Sequence, residues 1–105
     1  QPDIVVIRTQ DRDIIHDRRI NGVPALLVEV LSPTNPEKDT EIKRAAYARA
    51  GVPEYWIANA EAAYVMVYRR AASGGFGKPD YYTREESLKS EVLNASIPLS
   101  TVFRR

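Results

Sequence analysis

The sequence predicts a single α/β domain with a mixed central sheet. Two apolar runs, residues 25–31 and 54–58, flank a well-delimited helical segment, and several short strand-like segments follow them. A strand–helix–strand unit joins parallel strands through a right-handed crossover, whereas short strands linked by turns pair antiparallel. We therefore expect one domain over residues 1–105, with a strand–helix–strand crossover and a C-terminal antiparallel meander.

The predicted elements follow from hydrophobic patterns and from turn residues. Asn35-Pro36-Glu37 supplies an N-cap, a first-turn proline and a first-turn acid, and Gly51 ends the helix. Ile42, Ala45 and Ala46 fall at the spacing of one helix face. The sequence predicts a helix from about Pro36 to Ala50 and strands at residues 3–8, 25–31, 54–58, 63–68, 81–83, 91–93 and 97–99, with a little strand around Ile14 and Ile15.

The composition excludes several classes of protein. Hydrophobic residues make up 44% and charged residues 28% of the chain, as in ordinary globular proteins. The absence of cysteine excludes disulfides, thiolate zinc sites and a cysteine nucleophile, and it favours the cytoplasm. The longest apolar runs fall far short of the ~20 residues of a membrane helix, so we expect no membrane association. A net charge of +1 means that nucleic-acid binding would have to come from local clusters.

A single carboxylate, Glu29, interrupts the apolar run of the second strand. Alternation places it on one face with Leu27 and Leu31, where an ionised carboxylate is costly unless it meets a cation, a metal or a hydrogen-bond donor. The connection before this strand has no helical pattern, which indicates that the first two strands are antiparallel. Asp3 is then expected near Glu29.

The helix after the Glu29 strand carries Asp39 and Lys43 one turn apart, so Lys43 can supply the cation. Two carboxylates and a lysine can form a phosphodiesterase site. The acids bind Mg²⁺ through oxygen ligands, the metal activates water and offsets charge on phosphate, and the lysine orients the water or stabilises the phosphate oxygens.

Simpler interpretations of the same residues remain open. Glu29 could be a structural charge paired with Arg44. Asp39 and Lys43 could be a surface pair that contributes only ~0.3 to 0.5 kcal/mol. His16 has no partner at metal-ligand spacing, which favours an exposed or capping role. Tyr55-Trp56 could stack on bases, but a strand beside a crossover favours the core.

Several segments together resemble a known family. They are Pro2 to Val6, Leu27 to Pro33, Asp39 with Lys43, and Tyr47 to Ile57. The combination of VEVLSP with GVPEYWI is specific, and the chain is similar over nearly its whole length to the Uma-two family of restriction-endonuclease-like proteins, common in bacteria. The resemblance implies a restriction-endonuclease-like core of the PD-(D/E)XK nuclease superfamily, dependence on Mg²⁺ or Mn²⁺, and a DNA substrate.

The resemblance also implies roles for individual residues. Asp3 corresponds to the metal-binding aspartate, Glu29 to the second acidic ligand, and Lys43 to a catalytic lysine moved from the strand to the helix. Asp39 is an auxiliary polar residue. Leu31 stands where the strand of the family usually carries a lysine, so the chain departs from the pattern there.

Two further expectations accompany this assignment. Ser32, directly after the Glu29 strand, and Arg44, next to Lys43, are the candidates for contact with the substrate. The family has an upstream region with a helix that can contribute an acidic residue, and the present chain is expected to lack that region.

The leading hypothesis is a Mg²⁺-dependent endonuclease that hydrolyses DNA phosphodiester bonds with a metal-activated water. The alternative is a catalytically inactive DNA-associated or oligomerisation module of the same fold. A sugar- or nucleotide-metabolising enzyme finds no support, because the glycines at 74, 75 and 77 are not placed between a strand and a helix as in a phosphate-binding loop. A homodimer would suit a double-strand cut.

Overall fold

The computed structural model describes residues 3–16, 19–20, 22–31 and 37–103. Short 3₁₀ turns at Thr9–Ile14 and Leu99–Thr101 accompany the regular elements. In chain order the elements are β1 Ile4–Val6, β2 Ile15–His16, β3 Arg19–Ile20, β4 Leu26–Leu31, α1 Glu37–Ala50, β5 Glu54–Asn59, β6 Tyr64–Arg69, β7 Asp80–Thr83, β8 Ser87–Ser90 and β9 Ala95–Pro98.

Five strands form the central sheet in the order β1-β4-β5-β6-β7. The β4 and β5 strands are parallel, and α1 is the crossover between them, whereas β1–β4, β5–β6 and β6–β7 are antiparallel pairs. This arrangement confirms the predicted mixed sheet, the crossover and the antiparallel pairing of the first two strands. The little strand expected near Ile14 and Ile15 is β2, which pairs with β3 outside the main sheet.

The helix α1 ends as its sequence predicts. Gly51 has φ +90°, a conformation that L side chains rarely adopt. The Val52 N–H donates to the Tyr47 carbonyl at 3.2 Å and the Gly51 N–H donates to the Ala48 carbonyl at 3.2 Å, the two bonds of a Schellman motif. The chain therefore turns sharply from α1 into β5.

The apolar residues that the sequence places on one face of α1 do not decide which face of the helix meets the sheet. Ile42 is 62% exposed and Ala45 is also exposed, while Lys43, Arg44 and Tyr47 contact the sheet. The reason lies in the sheet, which presents a carboxylate and tyrosine hydroxyls to the helix. Polar groups on the sheet require polar partners on α1, so the apolar spacing along the helix does not decide its orientation.

The core has two parts, one on each face of the sheet. On the α1 side, Tyr55 packs with Leu27, Ile57 and Tyr68. On the other side, the β8–β9 hairpin and the C-terminal 3₁₀ turn cover β5 and β6; the buried residues there are Val65, Val67, Leu88, Leu99 and Phe103. The strands of the sheet centre are therefore buried on both faces, as their near-continuous apolar sequences predict.

The C-terminal antiparallel meander is confirmed, but the sequence did not predict β8 and placed a strand at 91–93 instead. Residues 91–94 form a turn after β8, so the strand predicted at 91–93 is wrong. The Leu93 N–H donates to the Ser90 hydroxyl at 3.0 Å, and Leu93 is 42% exposed. Local hydrogen bonds from side chain to backbone compete here with strand pairing. None of the helices in the described part of the chain is long and apolar enough to cross a membrane.

Candidate functional site

Glu29 lies in the middle of β4 and is only 3% exposed. Its Oε1 atom accepts a hydrogen bond from Lys43 Nζ at 3.2 Å, and its Oε2 lies 3.4 Å from the hydroxyl of Tyr47. The cationic partner that burial requires is therefore present, and it comes from α1. The partner is Lys43, so the alternative pairing of Glu29 with Arg44 is not the one observed.

The surroundings of Glu29 change the acidity of two side chains. Partial burial lowers the pKa of Lys43, but the hydrogen bond and the charge of Glu29 outweigh this effect, and the pKa is raised. Burial, followed by the charge of Glu29, raises the pKa of Tyr47. Both groups are therefore held in their protonated forms, in which each can donate a hydrogen bond.

Asp3 directly precedes β1, the edge strand beside β4. Its carboxylate is exposed and accepts a hydrogen bond from the Val30 N–H at 2.7 Å, and its own N–H donates to the Val28 carbonyl at 2.9 Å. These two bonds reach the residues on either side of Glu29. The structure thus places Asp3 beside Glu29, as antiparallel pairing predicts.

Arg44 lies next to Lys43 but belongs to a different set of contacts. Its Nη1 donates to the hydroxyl of Tyr68 at 3.1 Å, and its guanidinium carbon lies 5.4 Å from the centroid of the Tyr68 ring. This stacked and hydrogen-bonded geometry holds the guanidinium over β6. Arg44 therefore forms a second positive centre, separate from the Glu29–Lys43 pair.

Two predicted site residues, Asp39 and Ser32, have side chains outside the described part of the structure. Asp39 lies in the first turns of α1, one turn before Lys43, but its side chain is outside the described part of the structure. Ser32 lies outside the described residues altogether. Their assigned roles stay predictions.

The donor set suits a hard cation. Asp3 and Glu29 supply carboxylate oxygens, and Mg²⁺ is commonly held by one or two carboxylates together with waters and phosphates. Among the described side chains there is no group of three or more His, Cys, Asp or Glu residues that could enclose a metal ion. Asp3 and Glu29 are thus two described carboxylates whose oxygens are of the type that Mg²⁺ prefers.

Sequence reasoning missed a second buried carboxylate. Glu54, at the start of β5, is 1% exposed. It accepts hydrogen bonds from four donors, which are Trp56 Nε1 at 2.6 Å, Ser90 Oγ at 2.8 Å, and the N–H groups of Glu91 at 3.1 Å and Val92 at 3.2 Å. Glu54 thus ties the turn after β8 to the sheet. The available signal was the alternation that places Glu54 and Trp56 on one face of the strand.

Tyr47 was also missed as a part of the site, whereas the predicted core position of the neighbouring Tyr55 is confirmed. Their rings meet edge to face with centroids 5.1 Å apart, and Tyr55 is fully buried. Burial, then the charge of Glu29, raises the pKa of Tyr55. The signal for Tyr47 was its position one helical turn after Lys43, which places both on the same face of α1.

Comparison with known proteins agrees with the fold. The chain superimposes on a crystal structure described as "a putative nuclease belonging to DUF820 from Anabaena variabilis ATCC 29413", with a TM-score of 0.74 and 17% sequence identity. The match covers 97% of the present chain and 58% of that chain, so the present chain spans little more than half of that protein. No curated protein matches the sequence.

The family assignment comes from the sequence. The family model Uma2, described as "Putative restriction endonuclease", matches residues 1–101, which is nearly the whole chain. The mixed five-stranded sheet with one crossover helix fits a restriction-endonuclease-like core, and the expected fold class is confirmed. The chain therefore belongs to the Uma2 family.

Proposed function

We propose that this protein is a Mg²⁺-dependent endonuclease that hydrolyses phosphodiester bonds in DNA. One observation carries the proposal: the buried carboxylate of Glu29 is paired with Lys43, and the exposed carboxylate of Asp3 accepts a hydrogen bond from the N–H of the next residue in β4, Val30. Two acids and a lysine are the groups that metal-assisted phosphodiester hydrolysis needs. Membership of the Uma2 family and the likeness to a nuclease structure support the same reading.

Asp3 and Glu29 are the residues that would hold the metal, Mg²⁺ or Mn²⁺. The ion, when bound, supplies Lewis-acid activation of water and offsets negative charge on the phosphate. Asp3 would bind the ion from the solvent side, because its carboxylate is exposed. Glu29 would bind it from the buried side, with its carboxylate oriented by the hydrogen bond from Lys43.

Lys43 acts as a cation and a hydrogen-bond donor rather than as a base, because its raised pKa keeps it protonated. An ammonium group has three N–H donors, and the bond to Glu29 uses one of them. The side chain is 30% exposed, so the remaining donors can reach a phosphate at the surface. Lys43 is therefore assigned to the attacking water or the phosphate oxygens.

Three other residues complete the proposed site. Arg44 would contact the DNA backbone or a base next to the cleaved bond, since its guanidinium is fixed over Tyr68. Asp39 would assist as an auxiliary polar residue of α1, and Ser32 would contact the substrate from the segment after β4. The proposed location is the cytoplasm, which the absence of cysteine favours, and a two-fold dimer would let two sites cut both strands.

The second candidate function is a catalytically inactive module of the same fold that associates with DNA or with copies of itself. The Glu29–Lys43 ion pair favours this reading, because it satisfies one oxygen of the carboxylate without a metal. The net charge of +1 also gives no general attraction for phosphate.

A plasmid-nicking assay with the full-length protein and Mg²⁺ distinguishes the nuclease from the inactive module. The nuclease reading requires cleavage by the wild type and losses of at least about 100-fold for Asp3→Asn, Glu29→Gln and Lys43→Ala, since each removes a group that acts in the transition state. Glu61→Gln and Lys78→Ala are matched controls at exposed positions and should cleave normally. Cleavage unchanged in the three site variants would reject the site. DNA binding without cleavage in any metal would favour the inactive module.

A further inference from the structure

A cleft of about 250 Å³ lies between α1 and the sheet. It adjoins the candidate site, because Leu31 follows Glu29 on the same face of β4 and Arg44 follows Lys43 on α1, and both line the cleft. Pockets for drug-sized ligands measure about 300 to 1,000 Å³. The smaller volume suits one planar ring system.

The sheet register shows how far the cleft extends from the site. Glu29 pairs with Ile57, Ile57 with Met66, and Met66 with Tyr81, so these residues form one row across β4, β5, β6 and β7. Adjacent strands are ~4.8 Å apart, which places Tyr81 about 14 Å across the sheet from Glu29. A DNA strand with its cleaved bond at Glu29 would therefore pass the cleft within a few nucleotides.

Two tyrosines form the outer wall of the cleft. The rings of Tyr64 and Tyr81 lie with centroids 6.0 Å apart at an interplanar angle of 48°. Tyr81 is 60% exposed, although it is a large aromatic side chain in a strand. An exposed aromatic face at the mouth of a cleft is suited to stacking on a nucleobase. The bases of an intact duplex are already stacked, so only an unpaired or flipped base can use it.

The inner wall carries both signs of charge. Arg44 and Glu41 of α1 line the cleft together, and Arg44 is held in place by its hydrogen bond to Tyr68. A carboxylate beside the guanidinium disfavours a phosphate group, because like charges repel. The edge of a nucleobase, which carries both donors and acceptors, suits Arg44 and Glu41 better than a phosphate does. On its Watson–Crick edge an unpaired guanine offers the O6 acceptor to an arginine and, directly beside it, its N1 and N2 donors to a carboxylate.

We propose that this cleft binds one unpaired nucleobase, guanine in preference to the others. The substrate would then be DNA with a bulged, flipped or single-stranded nucleotide close to the bond that is cut. The link to cleavage rests on the proposed nuclease function, whereas binding of the base does not. Tyr81 supplies the stacking surface, and Arg44 with Glu41 reads the edge of the base.

Fluorescence anisotropy in EDTA tests the binding step without cleavage. The probes are a fluorescein-labelled duplex with one bulged guanine and the perfect duplex of the same sequence, and the protein is the full-length chain. We expect the bulged duplex to bind about tenfold more tightly, within the range for one stacked base. Tyr81→Leu should remove most of this preference and Tyr81→Phe should keep it. Val102→Ala, at another exposed apolar position, should change neither value.

The choice of base is tested by Glu41→Gln. This variant should lower the preference for a bulged guanine over a bulged adenine by about fivefold, since the side-chain amide is uncharged and keeps only one acceptor oxygen for the N1 and N2 donors of guanine. Equal affinity of the wild type for bulged and perfect duplexes would overturn the proposal, as would a Tyr81→Leu variant that keeps the preference. Equal binding of all four bulged bases would overturn the guanine assignment. A bulge preference without cleavage in Mg²⁺ supports the cleft and rejects the nuclease, whereas cleavage without a bulge preference does the reverse.

Discussion

Lys43 of α1 reaches across the helix–sheet interface to the buried carboxylate of Glu29, with its Nζ 3.2 Å from Oε1. The two side chains differ in exposure, at 30% for Lys43 and 3% for Glu29. The lysine thus lies between solvent and an acid that solvent does not reach. This arrangement links the stability of the fold to the residues of the candidate site.

Removing the lysine should destabilise the protein more than removing both charges. Lys43→Met leaves a buried carboxylate without its cation, and we expect the free energy of unfolding to fall by about 2 to 3 kcal/mol. Breaking a fully buried ion pair costs about 3 to 5 kcal/mol, and the cost is smaller here because Lys43 is partly exposed. The double variant Glu29→Leu/Lys43→Met should recover at least half of this loss. Urea unfolding followed by the fluorescence of Trp56 measures both. Additive effects of Lys43→Met and Glu29→Leu would contradict the coupling.

Alkaline pH should weaken the fold. The pKa values of Lys43 and Tyr47 are raised in the folded protein, so the folded state binds more protons than the unfolded state once those groups begin to titrate. Their contribution is complete below the ordinary values of about 10 to 10.4 and is lost as pH rises through the folded values. We therefore expect the free energy of unfolding to fall from about pH 10 upward.

The same titration has an internal control. Urea unfolding at a series of pH values should show a smaller alkaline loss of stability in Glu29→Leu/Lys43→Met. Lys43 is absent from that variant, and only burial, without the charge of Glu29, still raises the pKa of Tyr47. Lys78→Met, at an exposed position, should follow the wild type. A stability that is constant or rises between pH 9.5 and about 11 would be inconsistent with the raised pKa values.

Much of the fold and the centre of the site could be predicted from local sequence. Glu29 interrupts an apolar strand, which predicts burial and the need for a partner, and Lys43 lies in the half of α1 that faces the end of that strand. The polar connection without a helical pattern predicts the antiparallel pair that brings Asp3 to β4. Each of these inferences depends on periodicity or on a short connection.

The parts that sequence could not predict depend on contacts between distant segments. The orientation of α1 is decided by polar groups on the sheet, so the apolar spacing of Ile42 with Ala45 misleads. Residues 91–93 have the composition of a strand, but the carboxylate of Glu54 accepts hydrogen bonds from the N–H groups of Glu91 and Val92. A bond between residues 37 positions apart leaves no periodic signal in the sequence.

Glu54 should prove to be a structural carboxylate. In Glu54→Gln one acceptor oxygen is replaced by an NH₂ group that faces other hydrogen-bond donors. We expect the free energy of unfolding to fall by about 2 to 4 kcal/mol. Glu61→Gln, an exposed control, should change stability by less than about 0.5 kcal/mol. Amide hydrogen exchange should become faster at Glu91 and Val92, because the one remaining oxygen cannot accept from all four donors and the turn is held less firmly. A loss below about 0.5 kcal/mol for Glu54→Gln would show that its hydrogen bonds contribute little.

Two tyrosines of the α1 side should respond to loss of the hydroxyl in opposite directions. The Tyr55 hydroxyl is buried and has no hydrogen-bond partner among the described residues, whereas the Tyr68 hydroxyl accepts from Arg44 at 3.1 Å. Tyr55→Phe removes a desolvated polar group and should stabilise the protein by about 0.5 to 2 kcal/mol. Tyr68→Phe removes a made bond and should destabilise it by about 0.5 to 1.5 kcal/mol.

Thermal and urea unfolding of Tyr55→Phe and Tyr68→Phe measure how each substitution changes the free energy of unfolding. Each substitution deletes one oxygen and leaves the ring, so the packing of the aromatic cluster is kept and the comparison isolates the hydroxyl. Burial raises the pKa of Tyr55, so Tyr55→Phe should also reduce the loss of stability at alkaline pH. Destabilisation by Tyr55→Phe would mean that its hydroxyl makes a hydrogen bond in solution, with a residue or a water held near Glu29.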